Sequence, residues 1–135
     1  PDRFIQEQNI RFLYHTPCHD SLQGEGAQKV RQLGGEVVSV PACCSEAGTL
    51  ALSRPDITGA MRERKRDVLQ SVSGDNLHDR IMITNCPSCI SGLGRNSDMG
   101  LQPRHLATIL AERLGGAHWQ QELAGMRKGA EVIAF

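Results

Sequence analysis

Ile81-Met82-Ile83-Thr84-Asn85-Cys86-Pro87-Ser88-Cys89 is the stretch whose reading decides the fold. Residues of strand type run into a Cys-Pro-Ser-Cys turn, and the apolar positions then resume at Ile90 and Leu93 in a helical rhythm. The sequence therefore predicts a strand that delivers two thiols to its carboxyl end. Two other stretches repeat the design. Tyr14-His15-Thr16-Pro17-Cys18-His19 ends an apolar run that starts at Ile10, and Val37-Val38-Ser39-Val40-Pro41-Ala42-Cys43-Cys44 ends another. All five cysteines follow an expected strand.

Outward from these points the elements alternate. Strand one is expected from Ile10 to His15, and Ala27, Val30 and Leu33 then mark one face of a helix stopped by Gly34-Gly35. Strand two, Glu36 to Val40, reads as buried on both faces. A long helix follows, capped by Ser53 or Asp56, with Pro55 in its first turn and Ile57, Met61, Val68, Leu69 and Val72 as its buried stripe. The run Arg62 to Asp67 within it reads as a solvated face. A polar connection, Ser73 to Asp79, leads to strand three, Arg80 to Thr84. A short helix fails at Gly94, Asn96 to Gly100 is a loop, and Leu101-Gln102 is a brief fourth strand that ends before Pro103. Leu106, Ile109, Leu110 and Leu114 stripe a further helix ended by Gly115-Gly116, and Trp119, Leu123 and Met126 stripe a last one. Glu131 to Phe135 is a short apolar tail. This order predicts an α/β fold: a small, three- to four-stranded, mostly parallel sheet flanked by helices. Sites in such sheets form outside the carboxyl ends of the strands. That rule brings Cys18, Cys43, Cys44, Cys86 and Cys89 to one edge.

Bulk properties exclude other classes. The 135 residues suffice for one core. Fifteen basic and fifteen acidic residues leave no formal net charge, so no footprint for nucleic acid or an anionic membrane is visible. No apolar run approaches the roughly 20 residues that span a bilayer. The chain opens Pro1-Asp2-Arg3, and residues 1–9 read as a linker from a parent protein, with residues 10–135 as a single cysteine-rich domain. An odd cysteine count, with a core rich in Val, Ile and Leu, fits thiols used for metal or redox work in a reducing cytoplasm better than a disulfide scaffold.

Three chemistries could use such thiols. Structural zinc takes four ligands, so Cys86, Cys89, Cys18 and one of Cys43 or Cys44 would complete a site and leave one thiol over. A Cys-x-x-Cys between strand and helix also suits thiol–disulfide exchange, but leaves Cys18 and the vicinal pair unexplained. A multi-iron centre can accept more than four thiolates. In an extended strand Cys43 and Cys44 would face opposite ways. A turn built from Pro41 and Ser45-Glu46-Ala47-Gly48 is needed to aim both at one place. Five bare thiolates would repel one another without a polycation among them.

Cys18, Cys43-Cys44 and Cys86-Pro87-Ser88-Cys89, with His15-Thr16-Pro17-Cys18-His19, Arg64-Lys65 and Arg104-His105-Leu106, resemble the cysteine-rich CCG domain. That domain is shared by the B subunit of heterodisulfide reductase, the iron–sulfur subunit of glycolate oxidase, lactate-utilisation proteins and the carboxyl end of FAD-linked oxidases. The resemblance runs from about Tyr14 to Leu114 and implies that the five cysteines ligate a noncubane [4Fe–4S] centre, with zinc as the alternative. Three features depart from the pattern: Ser45 stands where the family usually has Gly, 24 residues separate Cys18 from Cys43, and 41 separate Cys44 from Cys86. The chain also carries one such motif where many relatives carry two.

The resemblance further implies an electron-transfer domain of an FAD-linked oxidoreductase of the glycolate oxidase or D-lactate dehydrogenase type. It would have no turnover in isolation, and its FAD would sit elsewhere in the parent polypeptide, beside flavin- and ferredoxin-type domains. The expected location is cytoplasmic, reaching the periphery of the inner membrane through a parent complex. The rivals are a zinc-binding structural or interaction domain and a thiol–disulfide redox module. His15, His19, Glu46 and Asn85 lie beside the cysteines in sequence and are candidates for tuning them. His105 reads as structural, and His78 and His118 as surface residues. Gly24-Glu25-Gly26 lacks the third glycine of a dinucleotide fingerprint and reads as a turn.

Overall fold

The computed structural model describes residues 11–46, 48–73 and 81–129. The lead-in at 1–9, Ile10, Ala47 in the vicinal turn, most of the polar connection with His78 and Arg80, and the tail from Glu131 lie outside the described residues. Strands β1 (Arg11–Tyr14), β2 (Glu36–Ser39), β3 (Ile81–Thr84) and β4 (Gln102–His105) form one parallel sheet in the order β2-β1-β3-β4. Tyr14 stands level with Ser39 on one side and Ile83 on the other. The chain passes from β1 to β2 in one direction and then back across β1 to β3. In sheets of this kind a crevice is expected at the carboxyl end of the strand where that direction reverses, here β1.

Strand alternation divides the core between two faces. Leu13, Met82 and Val40 pack with Leu69 of α3 (Pro55–Ser73), Leu93 of α4 (Pro87–Gly94), Leu101, Cys44 and Cys89. Phe12, Tyr14 and Ile83 pack on the other side. Their partners are Val30 of α1 (Gly26–Arg31) and Leu106 and Ile109 of α5 (Leu106–Gly115). Helix α2 (Leu50–Ser53) precedes α3, and α6 (Trp119–Lys128) closes the described chain with no buried residue. The expected parallel α/β architecture is the observed one. Among the described residues no helix is long and apolar enough to cross a membrane.

Several expectations give way. Strand β2 is an edge strand, with Glu36 and Ser39 exposed and Val37 and Val38 half-buried, so only one neighbour covers it. Pro103 lies inside β4, opposite Met82. Proline is tolerated there because β4 is the other edge and no ladder bond is needed on its open side. Leu114 is 86 % exposed, while Ile109 and Leu110 of the same stripe pack into the second core cluster. Neither expected residue caps α3: Ser53 Oγ bonds the Thr49 carbonyl at 3.1 Å, and Asp56 pairs with Arg54 at 2.7 Å.

The largest change is on α3. Ile57 is partly exposed, whereas Lys65, in the middle of the supposed solvated charge run, has no exposed surface. The buried line is Thr58, Lys65, Leu69 and Ser73. Arg62 and Arg66 of the same run reach outward to the Arg95 carbonyl (2.6 Å) and to Asp98 (2.8 Å).

Candidate metal centre

Each strand end presents its cysteines through a different local device. After β1, the backbone continues its pairing by one residue, His15 N–H donating to Ile83 at 2.9 Å, before Pro17 turns it outward to Cys18. Asp20 then closes the following loop, accepting from the amides of Leu22 (2.9 Å) and Gly24 (2.7 Å). After β2, Val40 N–H bonds the Tyr14 carbonyl at 2.8 Å, and Pro41 ends the strand. The vicinal cysteines sit between two left-handed residues, Ala42 (φ 69°) and Ser45 (φ 66°). That pair of reversals makes the turn required to aim Cys43 and Cys44 together, at a strain of about 1 kcal/mol per residue. After β3, Cys86 occupies the N-cap of α4 in an extended conformation, Pro87 opens the helix, and Cys89 lies in its first turn.

These devices converge. Cys18 Sγ lies 3.9 Å from Cys43 Sγ. The sulfurs of Cys44 and Cys89 and a ring nitrogen of His15 all lie within 4.8 Å of one another, and all three residues are buried. All five cysteines are free thiols, graded from exposed Cys18 through half-buried Cys43 and Cys86 to buried Cys44 and Cys89. An open cavity of about 410 Å³ adjoins the outer end of the set, lined by Thr16, Ser39 and Pro41 beside Cys18 and Cys43.

The vicinal loop is braced from below and behind. Lys65 Nζ donates to the carbonyls of Pro41 (2.7 Å) and Ala42 (3.0 Å) and contacts His15 Nδ1 at 3.1 Å. Gly92 of α4 packs directly on the loop: a Cβ there would stand 2.4 Å from the Cys44 carbonyl oxygen. Glu46 forms an ion pair with Arg95 at 2.8 Å, joining the loop to the end of α4.

Environment separates the thiols chemically. Hydrogen bonding to Cys43 and that thiol's charge raise Cys18, while burial and then Cys44 raise Cys89. The Cys89 backbone amide, at the start of α4, holds Cys86 below its ordinary value. Burial lowers Lys65 to about 8 against the pull of the neighbouring thiols, and burial followed by the Lys65 charge lowers His15 to about 4. The pair is thus a neutral imidazole beside an ammonium at neutral pH.

The other candidates fall into place differently. His15 joins the cluster, whereas His19 is exposed. Asn85 ties the end of β3 to the loop after Cys18. Its Oδ1 accepts from the Tyr14 hydroxyl (3.0 Å), and its Nδ2 donates to Asp20 (2.9 Å) and Ser21 (3.2 Å). Burial and then Asp20 raise the Tyr14 phenol to about 12, so it stays a donor. His105 caps α5 by accepting from the Ala107 amide at 3.1 Å, the structural role expected of it. Lys65 is the residue missed. Its signal was present: the apolar stripe of α3 skips the position four after Met61 and four before Leu69, which the helical period requires to face inward.

The fold and this edge define a parallel α/β domain with thiols and a histidine near enough to one another to hold a metal. The chain belongs to the cysteine-rich CCG domain family, whose pattern matches residues 12–94. It is also 30% identical over 113 residues to the glycolate oxidase iron-sulfur subunit of Escherichia coli (strain K12). That match covers 77% of this chain and 26% of the relative, so the chain spans about a quarter of that relative's length. No solved structure matches significantly.

Proposed function

We propose that Cys18, Cys43, Cys44, Cys86 and Cys89 ligate an iron–sulfur centre of the noncubane [4Fe–4S] type. In this reading the domain carries electrons within an FAD-linked oxidoreductase of the glycolate oxidase or D-lactate dehydrogenase type. The observation that carries it is the placement of five free thiols after three strand ends, with Cys18 and Cys43 3.9 Å apart, Cys44 and Cys89 within 4.8 Å, and Cys86 hydrogen-bonded to Cys89. Four-coordinate zinc leaves one of these donors unused, and a single dithiol leaves three. The raised Cys18 and Cys89 thiols need positive charge beyond Lys65 before all five ionise, which several iron ions provide. His15 Nε2, buried with no hydrogen-bond partner of good geometry among the described residues, fits a site where sulfur can accept its proton.

The centre would supply one-electron chemistry, and the chain's own residues hold and shield it. FAD and the hydroxy-acid site would belong to flavin- and ferredoxin-type domains of a parent polypeptide, with residues 1–9 as the linker and residues 10–135 as one domain. Thiolate ligation suits the reducing cytoplasm, with any contact to the inner membrane made through the parent complex. A zinc-stabilised module is the second reading, favoured by the tight His15–Cys44–Cys89 grouping.

Anaerobic purification followed by assay of iron, acid-labile sulfide and zinc per chain separates the two. About four irons and sulfide, lost together when any of the five cysteines becomes serine, are expected. One zinc and no sulfide, from cells supplied with iron, would refute the cluster.

A further inference from the structure

Lys65 is buried on the inner line of α3, beneath the thiols, with 0% of its surface exposed. A buried ammonium has three N–H donors and no lone pair, so each donor requires an acceptor. Three are within reach: the Pro41 carbonyl, the Ala42 carbonyl and His15 Nδ1, at 2.7, 3.0 and 3.1 Å. The match is complete only if Nδ1 carries no proton. A neutral imidazole with a bare Nδ1 carries its hydrogen on Nε2. Among the described residues that atom is buried without a hydrogen-bond partner of good geometry, and the Val40 carbonyl is the backbone acceptor near the ring. One of the two ring nitrogens lies within 4.8 Å of the Cys44 and Cys89 sulfurs.

We propose that Lys65 is a positioning residue that locks His15 in the Nε2–H tautomer, so that His15 donates a hydrogen bond to sulfur on the Cys44–Cys89 side of the centre and is not a metal ligand. The inference rests on reading the cysteines as ligands. A histidine that binds metal donates its second ring N–H to a carboxylate, carbonyl or water, which raises its basicity. Lys65 presents the opposite partner, a donor. By distance alone the His15–Cys44–Cys89 group could take a metal through nitrogen, but its hydrogen-bond polarity is wrong for it. A hydrogen bond to sulfur draws electron density from the centre and favours its reduced state. The Lys65 charge acts in the same direction. The two carbonyl bonds give Lys65 a second task, because they hold the residues that set up the left-handed turn before Cys43.

The test uses the full chain with ¹⁵N-labelled histidine. In the metal-free protein, long-range ¹⁵N–¹H correlation reads the His15 tautomer directly, with Nε2–H expected. Lys65→Met should release the ring toward the Nδ1–H form. Next, iron and sulfide are reconstituted without oxygen, and content, reduction potential and pulsed electron paramagnetic resonance are recorded. His15→Gln, which keeps an amide donor near the Nε2 position, should load as wild type with a potential close to it. His15→Leu should keep its iron and sulfide but shift the potential negative. Nitrogen coupling should be weak, as for a hydrogen bond. An Nδ1–H tautomer in the wild type, strong nitrogen coupling, or loss of metal from His15→Leu with its fold intact would each overturn the proposal. If no variant or wild type binds iron, the cluster reading fails separately, and the tautomer still decides whether Lys65 locks the ring.

Discussion

Replacing Gly92 by alanine sets helix propensity against contact geometry. Gly92 lies three residues beyond Cys89 on α4 and is buried. A Cβ would stand 2.4 Å from the Cys44 carbonyl oxygen, 2.8 Å from Glu46 Cβ and 3.2 Å from the Cys44 carbonyl carbon. Ordinary contact begins near 3.4 Å, so the loop and helix must part by about 1 Å (3.4 − 2.4). Two of the three atoms are backbone, and no side-chain rotation relieves them. Alanine for glycine inside a helix gains about 0.5–1 kcal/mol. Overpacking of a tight core costs about 1–3 kcal/mol. The net expectation is a loss of about 1–2 kcal/mol. The same shift moves Cys44 away from Cys89, so iron and sulfide content should fall as well. Gly59→Ala is the control: it lies in α3, exposed, with nothing within 4 Å of its Cβ position, and should stabilise by about 0.5–1 kcal/mol. Urea unfolding of the metal-free chain followed by circular dichroism gives both numbers, and anaerobic reconstitution gives the loading. If Gly92→Ala gains as much as Gly59→Ala and loads fully, α4 and the vicinal loop have slack and the close packing argued for here is wrong.

Ser45→Gly relieves a φ of 66° and removes a buried hydroxyl that has no partner, so it should stabilise the chain by about 0.5–1 kcal/mol in urea with iron loading unchanged. Tyr14→Phe leaves Asn85 Oδ1 without its donor and should cost about 1 kcal/mol, read as a lower urea midpoint at constant slope; an unchanged midpoint would remove Asn85 as a tie between β3 and the Cys18 loop. Leu114→Ser should change stability by less than about 0.5 kcal/mol and Ile109→Ala should cost about 2–4 kcal/mol; equal costs would put Leu114 back in the core. In the reduced, metal-free chain near neutral pH, Cys86 should be alkylated first by iodoacetamide, because only the thiolate reacts and its thiol is held low while that of Cys18 is held high. Peptide mass spectrometry over time reads the order, and faster labelling of the more exposed Cys18 would show that access outweighs ionisation.

Strands β1 and β3 were legible because Phe12-Leu13-Tyr14 and Ile81-Met82-Ile83 are runs of strand formers closed by proline-bearing turns, and a central parallel strand is apolar on both faces. Composition could not tell that Val37-Val38 belongs to an edge, since sheet order is a tertiary property. Pro103 cut the expected fourth strand short for the same reason, because its cost depends on which side of the strand is unpaired. The five thiols were readable by placing each after a strand and applying the parallel-sheet rule. Lys65 was harder to see: the helical period marks its position as inward, but its neighbours in sequence are charged and solvated, and only the contacts from Pro41, Ala42 and His15 make a buried ammonium tolerable. Ser45 shows the reverse case. Its departure from the family's glycine was visible in the sequence, and its left-handed backbone gives the physical reason that glycine is favoured there.

The pairing of β1 with β3 sets the order in which the centre can assemble. Tyr14 and Ile83 are partners across 69 residues of chain, so Cys18 meets Cys86 and Cys89 only after the loop-closure entropy of the whole first half has been overcome. Cys86 and Cys89 need one helical turn to come together, and Cys43 and Cys44 only a local reversal. In the proposed centre, metal taken up early in folding would be held by local pairs, and the full set of five would report that the central strands have closed. Uptake kinetics would then time a tertiary event, with the distance between the two middle strands as its slow coordinate.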